Sequence, residues 1–212
     1  MRRAAGVATL AAMTGKLRII GGLWRGRRLA LADRPGLRPT GDRARETLFN
    51  WLQGRIHRAS ALDLFAGSGA LGLEAASRGA AQVVLVERDR ALTDSLRALV
   101  GEWPDTDTLR VVGDDALRWL EGAEGRFDLV FVDPPFDQRL HARVLQKLSR
   151  PGLLAIDARV YVESPAREPA PVVAGDRQWR ILKEKRQGEV RLQLVAPQNP
   201  APSAALPPIP GA

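Results

Sequence analysis

Residues Val130-Phe131-Val132-Asp133-Pro134-Pro135-Phe136 place a carboxylate and two prolines directly after an apolar run. Consecutive prolines stiffen the chain and remove two N–H donors. Carbonyls and the Asp133 carboxylate then face outward as acceptors on a rigid ledge, and a planar amino group has two hydrogens to offer them. Phe136 adds a flat face on which a base can stack, a contact worth roughly 1–3 kcal/mol. The alternative is a proline-stiffened turn with a buried Phe. The residues upstream favour a site.

The first of these is Leu62-Asp63-Leu64-Phe65-Ala66-Gly67-Ser68-Gly69-Ala70-Leu71-Gly72, which leaves one predicted element and opens the next. Gly67, Gly69 and Gly72 fit G-x-G-x-x-G, a spacing that permits a tight turn and lets a ligand lie on bare backbone. The spacing alone is a weak signal; its position between a strand and a helix makes it a nucleotide-type site. Glu87 ends the next apolar run, about 20 residues on, where an acid accepts hydrogen bonds from ribose hydroxyls. Gly113-Asp114-Asp115-Ala116 follows the third run. A carboxylate there can accept from an adenine amino group or cap the following helix. Asp115 is the preferred contact because it directly precedes Ala116, but the pair leaves the assignment open.

The elements that must position these residues alternate regularly. Strands are expected at 61–65, 82–86, 109–112, 127–132 and 159–163, and helices at 70–78, 90–101, 116–121 and 138–148. Short apolar strands separated by amphipathic helices indicate a parallel sheet covered on both faces. Trp179–Lys185 and Val190–Val195 read as a closing antiparallel hairpin. Upstream, residues 16–31 read as two short strands around Gly21-Gly22. Residues 41–57 read as a helix that Thr40 or Asp42 could cap, with Ala44, Leu48, Trp51 and Leu52 as its apolar stripe. Trp24 and Trp51 sit in apolar patterns and are expected in the core, whereas His57 and His141 are expected at the surface, with no metal.

Charge divides the chain. Residues 1–58 hold 13 Lys/Arg against 3 Asp/Glu, so the net +8 of the 212 residues lies wholly in that segment. Such asymmetry marks a polyanion-binding extension on a near-neutral body, and arginine forks match phosphate oxygens. The domains expected are a disordered leader (1–15, with Met13 as a possible start), a basic RNA-binding extension (16–58), a catalytic domain (59–195) and a disordered Pro/Ala-rich tail (196–212). With no cysteine, nothing calls for an oxidising compartment, and thiolate attack on a pyrimidine is excluded as a chemistry. No apolar run reaches the roughly 20 residues that a membrane span takes. A cytoplasmic monomer is expected.

Asp133-Pro134-Pro135-Phe136 resembles the catalytic motif of amino-group N-methyltransferases in the Rossmann-like, S-adenosylmethionine-dependent superfamily. The flanks narrow the match. Arg18-Ile19-Ile20-Gly21-Gly22, Trp24-Arg25-Gly26-Arg27, Leu37-Arg38-Pro39-Thr40, Asp42-Arg43, Arg45-Glu46-Thr47-Leu48-Phe49-Asn50, Tyr161-Val162-Glu163-Ser164, and Lys185 with Gly188 resemble the bacterial 16S ribosomal RNA guanine-N2 methyltransferases. The resemblance covers about residues 17–195. It implies a class I methyltransferase fold: a mainly parallel seven-stranded sheet with helices on both faces, a closing antiparallel hairpin, and a small N-terminal hairpin-and-helix extension.

It also implies S-adenosylmethionine as cofactor, held by Asp63, Phe65, Ala66, Gly67, Gly69, Glu87, Asp115 and Ala116. The substrate implied is 16S RNA, in a small ribosomal subunit or an assembly intermediate. Asp133, Pro134, Pro135 and Phe136 would carry the transfer. Arg18, Arg25, Arg27, Arg28, Arg38, Arg43 and Arg45 would grip phosphates, although Arg38, Thr40, Arg43 and Asn50 could instead line the pocket. Competing readings are adenine N6 or a protein glutamine as the target, a non-catalytic RNA-binding module on the same fold, and an NAD-dependent oxidoreductase. The last would have no use for the Asp133 ledge.

Overall fold

The structure is a computed structural model that describes residues 17–29 and 41–198. The expected leader, most of the expected tail, Arg38 and Thr40 lie outside the described residues.

Seven strands form one sheet: β1 (Ser60–Asp63), β2 (Gln82–Glu87), β3 (Leu109–Gly113), β4 (Phe127–Val132), β5 (Leu154–Pro165), β6 (Trp179–Gln187) and β7 (Val190–Pro197). Their order is β3-β2-β1-β4-β5-β7-β6. β1 to β5 pair in parallel, and β7 inserts antiparallel between β5 and β6. This is the Rossmann-like arrangement with its closing hairpin. The order reverses direction at β1 and β4, so the loops after those strands meet over one crevice at their carboxyl ends, where such sheets bind ligands.

Alternation along the strands decides what covers each face. Val83, Leu85, Leu129, Phe131 and Tyr161 join one core with α1 (Asp42–Trp51), α2 (Ala70–Ser77) and α3 (Arg90–Glu102). Val84, Val86, Val130, Val132, Val160 and Val162 join the opposite core with α4 (Ala116–Gly122) and α5 (His141–Leu148). Burying each such side chain contributes roughly 1.5–3 kcal/mol, so the period of two fixes the register.

Four expectations change. The N-terminal hairpin reduces to a single antiparallel bridge, Arg18 to Arg28. Ile19 N to Arg27 O and Leu29 N to Leu17 O, both 2.9 Å, flank that bridge, and the segment between is pinned to α2 as well, because Leu23 N donates to Ser77 O at 2.7 Å and Trp24 N to Ser77 Oγ at 2.9 Å. α1 ends at Trp51 and starts after Gly41 without a side-chain cap; Asp42 pairs with Arg45 rather than capping. The helix expected from Gln138 begins at His141, because a 3-10 turn over Phe136–Gln138 and a left-handed Arg139 (φ 46°) precede it. β5 is far longer than 159–163, since its register shifts between Phe127 and Leu129 of β4 and lets pairing resume further upstream.

The N-terminal extension is built into the body. Leu17, Ile19, Trp24 and Leu29 are buried in the same core as α1, α2 and the sheet. Trp24 packs edge-on against Trp103 with ring centroids 5.3 Å apart, and Trp51 is partly buried against the same core. Beneath them, Glu74 is fully buried and gathers the extension. It accepts from Ile20 N (2.7 Å), Gly21 N (2.8 Å) and Arg78 Nε (2.7 Å), and Arg45 Nη1 lies 3.7 Å away.

Candidate active site

A cavity of about 850 Å3 opens at the carboxyl ends of β1, β2, β3 and β4. Its floor is the glycine loop. Ala66 N donates to Val86 O at 3.0 Å and Gly69 N to Ala66 O at 2.6 Å, which folds the loop tightly between β1 and α2. Gly67 (φ 54°) and Gly69 (φ 79°) adopt the left-handed conformation that side chains resist. Gly72 serves packing: a Cβ there would lie 2.3 Å from Leu85 Cδ2 and 3.2 Å from Asp63 Cβ.

Two carboxylates hold this loop from below. Asp63 Oδ2 accepts from Gly72 N at 2.9 Å. Burial pushes the Asp63 carboxyl up to about 7; hydrogen bonds from Gly72 and Phe65 oppose the rise, and the charges of Asp133 and Glu87 add to it. Glu87 Oε2 accepts from Gly67 N at 2.8 Å, and its Oε1 from Asp89 N at 2.8 Å. Glu87 therefore joins the tip of β2 to the glycine loop while bordering the cavity.

Asp114 and Asp115 both border the cavity and do different work. Asp115 Oδ1 caps α4, accepting from Leu117 N (3.0 Å) and Arg118 N (3.2 Å). Asp114 pairs with Arg118, whose guanidinium holds its carboxyl below the usual range. The cap role expected as one alternative for Asp115 is present.

The ledge closes the far side of the cavity. Asp133 is partly exposed, Pro134 buried, Pro135 exposed and Phe136 half-buried, and all four border the space. The Pro135 carbonyl accepts from Gln138 N at 3.1 Å, which closes the 3-10 turn and withdraws it from the ledge. The cavity thus brings together Asp63, Phe65, Ala66, Gly67, Glu87, Asp115, Ala116, Asp133, Pro134, Pro135 and Phe136. Gly69 lies behind this wall, buried as the first turn of α2 begins.

The arginines divide. Arg18, Arg25, Arg27, Arg28 and Arg43 are exposed, and Arg27 also stacks over Trp103 at 5.2 Å. Arg45 is fully buried, with Nη2 donating to Arg18 O (2.9 Å) and Asp42 Oδ1 (2.6 Å). Its expected place on RNA phosphates is corrected: the guanidinium is an internal cation that neutralises Glu74 and ties α1 to the extension. His141, expected at the surface, is also corrected. Its Nε2 lies 2.7 Å from Glu163 O, and burial lowers its basicity.

Sequence reasoning missed several cavity residues. Glu163 and the Gln187–Val190 turn border it, as do Gly41 and Ala44 of the extension. Tyr161 Oη donates to Glu163 Oε2 at 2.7 Å. The available signal was an acid at the end of an otherwise apolar strand, parallel to the position of Asp133. Glu74 had a comparable signal, a lone acid in the apolar helix Ala70-Leu71-Gly72-Leu73-Glu74-Ala75. Among the described residues no group of three or more His, Cys, Asp or Glu is placed to hold a metal ion, and no helix is long and apolar enough to cross a membrane.

Comparison with known proteins agrees in extent with this architecture. The family described as "Conserved hypothetical protein 95" matches residues 17–196. The protein called ribosomal RNA small subunit methyltransferase D of Escherichia coli (strain K12) is 46% identical over 181 residues, covering 85% of this chain and 90% of the relative. Its namesake in Haemophilus influenzae is 40% identical, covering 85% and 93%. Among solved structures, yhhF from Escherichia coli superposes with a TM-score of 0.76 at 44% identity, over 85% of this chain and 97% of that one. HI0767 from Haemophilus influenzae gives 0.72 at 36% identity, over 85% and 98%. The chain belongs to the conserved hypothetical protein 95 family, together with the proteins called ribosomal RNA small subunit methyltransferase D.

Proposed function

We propose that the protein transfers a methyl group from S-adenosylmethionine to the exocyclic N2 amino group of a guanine in 16S RNA of the small ribosomal subunit. The observation that carries this reading is the position of the Asp133-Pro134-Pro135-Phe136 ledge, which borders the same cavity as the glycine loop and Glu87. An amino-group acceptor and a nucleoside site therefore share one enclosure. The names of the relatives, small-subunit RNA methyltransferases, support the class of substrate.

The cavity suits the cofactor. Its volume falls within the roughly 300–1,000 Å3 of ligand pockets. Bare backbone at Gly67 lets a ligand approach, Glu87 stands where ribose hydroxyls need an acceptor, and Asp114 and Asp115 stand where an adenine amino group does. S-adenosylmethionine supplies, when bound, a methyl group already activated by the sulfonium charge.

The chain's own contribution is placement and electrostatics. Guanine N2 is a poor nucleophile because its lone pair is delocalised into the ring. The Asp133 carboxylate and the Pro134 carbonyl accept its two hydrogens, turn the lone pair out of conjugation and stabilise the positive charge that grows on nitrogen. Phe136 holds the base plane, and the stiff prolines prevent the ledge from relaxing away. A paired or stacked guanine is first flipped out, at a cost of a few kcal/mol. The exposed Arg18, Arg25, Arg27, Arg28 and Arg43 hold the surrounding phosphates.

The test incubates the purified protein with labelled S-adenosylmethionine and unmodified small subunits, beside naked 16S RNA and DNA, and digests the products to nucleosides. Label in N2-methylguanosine that disappears with Asp133→Ala is the expected result. Label in N6-methyladenosine would overturn the target, and tight cofactor binding without transfer to any nucleic acid would overturn the reaction.

A further inference from the structure

Beside the ledge stands a second carboxylate that the transfer chemistry does not use. Glu163 lies near the end of β5, is only 4% exposed and borders the same cavity as Asp133. Val132 pairs with Val162 in the parallel register, so one residue further on Asp133 and Glu163 leave neighbouring strands side by side. Tyr161, two residues before Glu163 on the same face of β5, donates its hydroxyl to Glu163 Oε2 at 2.7 Å. Burial, followed by the charges of Glu163 and Asp133, pushes the Tyr161 phenol well above its ordinary range, so it stays a donor. The backbone is held too, since Glu163 O lies 2.7 Å from His141 Nε2.

A buried carboxylate is costly to keep unless hydrogen bonds surround it. A carboxylate offers about four acceptor directions, so it can serve Tyr161 and a ligand together. Two carboxylates bordering one wall of a cavity favour a ligand that presents several N–H bonds along one edge. The Watson–Crick edge of guanine does this, with N1–H directly beside the two hydrogens on N2. Adenine carries two hydrogens on N6, but its N1 is a lone pair that a carboxylate repels. Cytosine has the same fault at N3.

We propose that Glu163 is the residue that selects guanine: its carboxylate, aimed by Tyr161, accepts the guanine N1–H while Asp133 accepts from the N2 amino group. This rests on the guanine-N2 reading above and deepens it. Asp133 acts on the reacting nitrogen, whereas Glu163 decides which base can bring a nitrogen there. His141 and Tyr161 are positioning residues that act through Glu163.

The test pairs a base change with a residue change. Subunits are reconstituted with 16S RNA carrying 2-aminopurine at the guanine located by nucleoside digestion. This base keeps the N2 amino group, but its N1 is a lone pair. The full-length protein and its Glu163→Gln variant are compared on both RNAs by single-turnover kcat/KM. The glutamine keeps the shape and can donate to that lone pair. The wild type is expected to prefer guanine by about ten-thousandfold, as sites built around a substrate N–H reject analogues lacking it. Glu163→Gln is expected to narrow that preference at least about tenfold; the bases' intrinsic reactivities cancel in the ratio. Binding of S-adenosylhomocysteine should not change.

An equal loss on both RNAs, or an unmoved preference, overturns the assignment. So does a wild type that treats the two bases alike, whatever the variant does. Should Glu163→Gln fail to fold, Tyr161→Phe decides: it leaves the carboxylate in place without its aiming donor, and the preference must narrow. Label in N6-methyladenosine would overturn the guanine reading and this assignment together. Label in N2-methylguanosine with an unmoved preference overturns the assignment alone.

Discussion

On the glycine-loop side of the cavity, Asp63 and Glu87 turn their oxygens to backbone N–H groups of Gly72, Gly67 and Asp89. On the ledge side, Asp133 and Glu163 come from neighbouring strands, and Glu163 accepts from the hydroxyl of Tyr161. The first pair shapes a loop; the second pair lines a binding surface. Carboxylates of the same kind thus serve architecture on one side and, in the proposed reading, recognition on the other. A substitution should therefore separate the two functions cleanly on the ledge side and poorly on the loop side.

The largest separation is expected from Asp133→Ala. The rate of transfer should fall about a thousandfold or more, the scale of losing a preorganised electrostatic partner. Affinity for S-adenosylhomocysteine, measured calorimetrically, should stay within about threefold, because losing an interaction made only in the transition state leaves ground-state binding alone. A parallel collapse of cofactor affinity would break the distinction between the two sides.

Glu74→Gln probes what supports the loop side. The substitution removes the buried charge that faces Arg45 Nη1 and Arg78 Nε, leaves Arg45 its partly exposed partner Asp42, and weakens the clamp on Ile20 and Gly21. Removing one partner of a buried pair costs about 3–5 kcal/mol, to be read from urea unfolding. A loss under about 1 kcal/mol, the scale of a surface pair, would show that the extension is held by its apolar residues alone.

Gly72→Ala should cost about 1–3 kcal/mol, the scale of overpacking, since its Cβ would press on Leu85 and Asp63. Cofactor affinity should fall with it, because the same contact displaces the Asp63 carboxylate that holds the loop.

The smallest effect is a pH dependence. The Asp63 carboxyl is raised from 3.8 to about 7 in the folded protein, so the folded state holds a proton that the unfolded state releases. Its contribution to stability is fully present below about 4 and is lost as the pH rises through about 7. Denaturation midpoints across that interval should decline in the wild type and decline less in Asp63→Asn. An unchanged slope in the variant would assign the decline to other groups.

Legibility in the sequence followed range. The strands from β1 to β4 were readable because each is a short apolar run with a local boundary, and Phe127–Val132 was placed to the residue. The glycine loop and ledge were readable because their function lies in backbone shape, which Gly and Pro announce by type. The N-terminal hairpin was legible in part: residues 17–19 and 26–29 do pair across it, while the bonds of its turn to Ser77 and Glu74 of α2 are long-range and leave no local signal. Arg45 misled for the same reason. Nothing within α1 distinguishes an arginine on a buried acid from one facing phosphate.

The sequence by itself determined the alternation of elements, the glycine loop, the acid at the end of β2 (Glu87) and the Asp133 ledge, because each depends on residues adjacent in the chain. Only the tertiary structure decided that Glu163 stands beside Asp133, that Tyr161 holds it, and that Arg45 and Glu74 neutralise each other inside the fold. The Asp133–Glu163 and Arg45–Glu74 neighbours lie about 30 residues apart in sequence, and strand pairing and helix packing bring them together. Local composition carries no information about which distant partner a charge will meet.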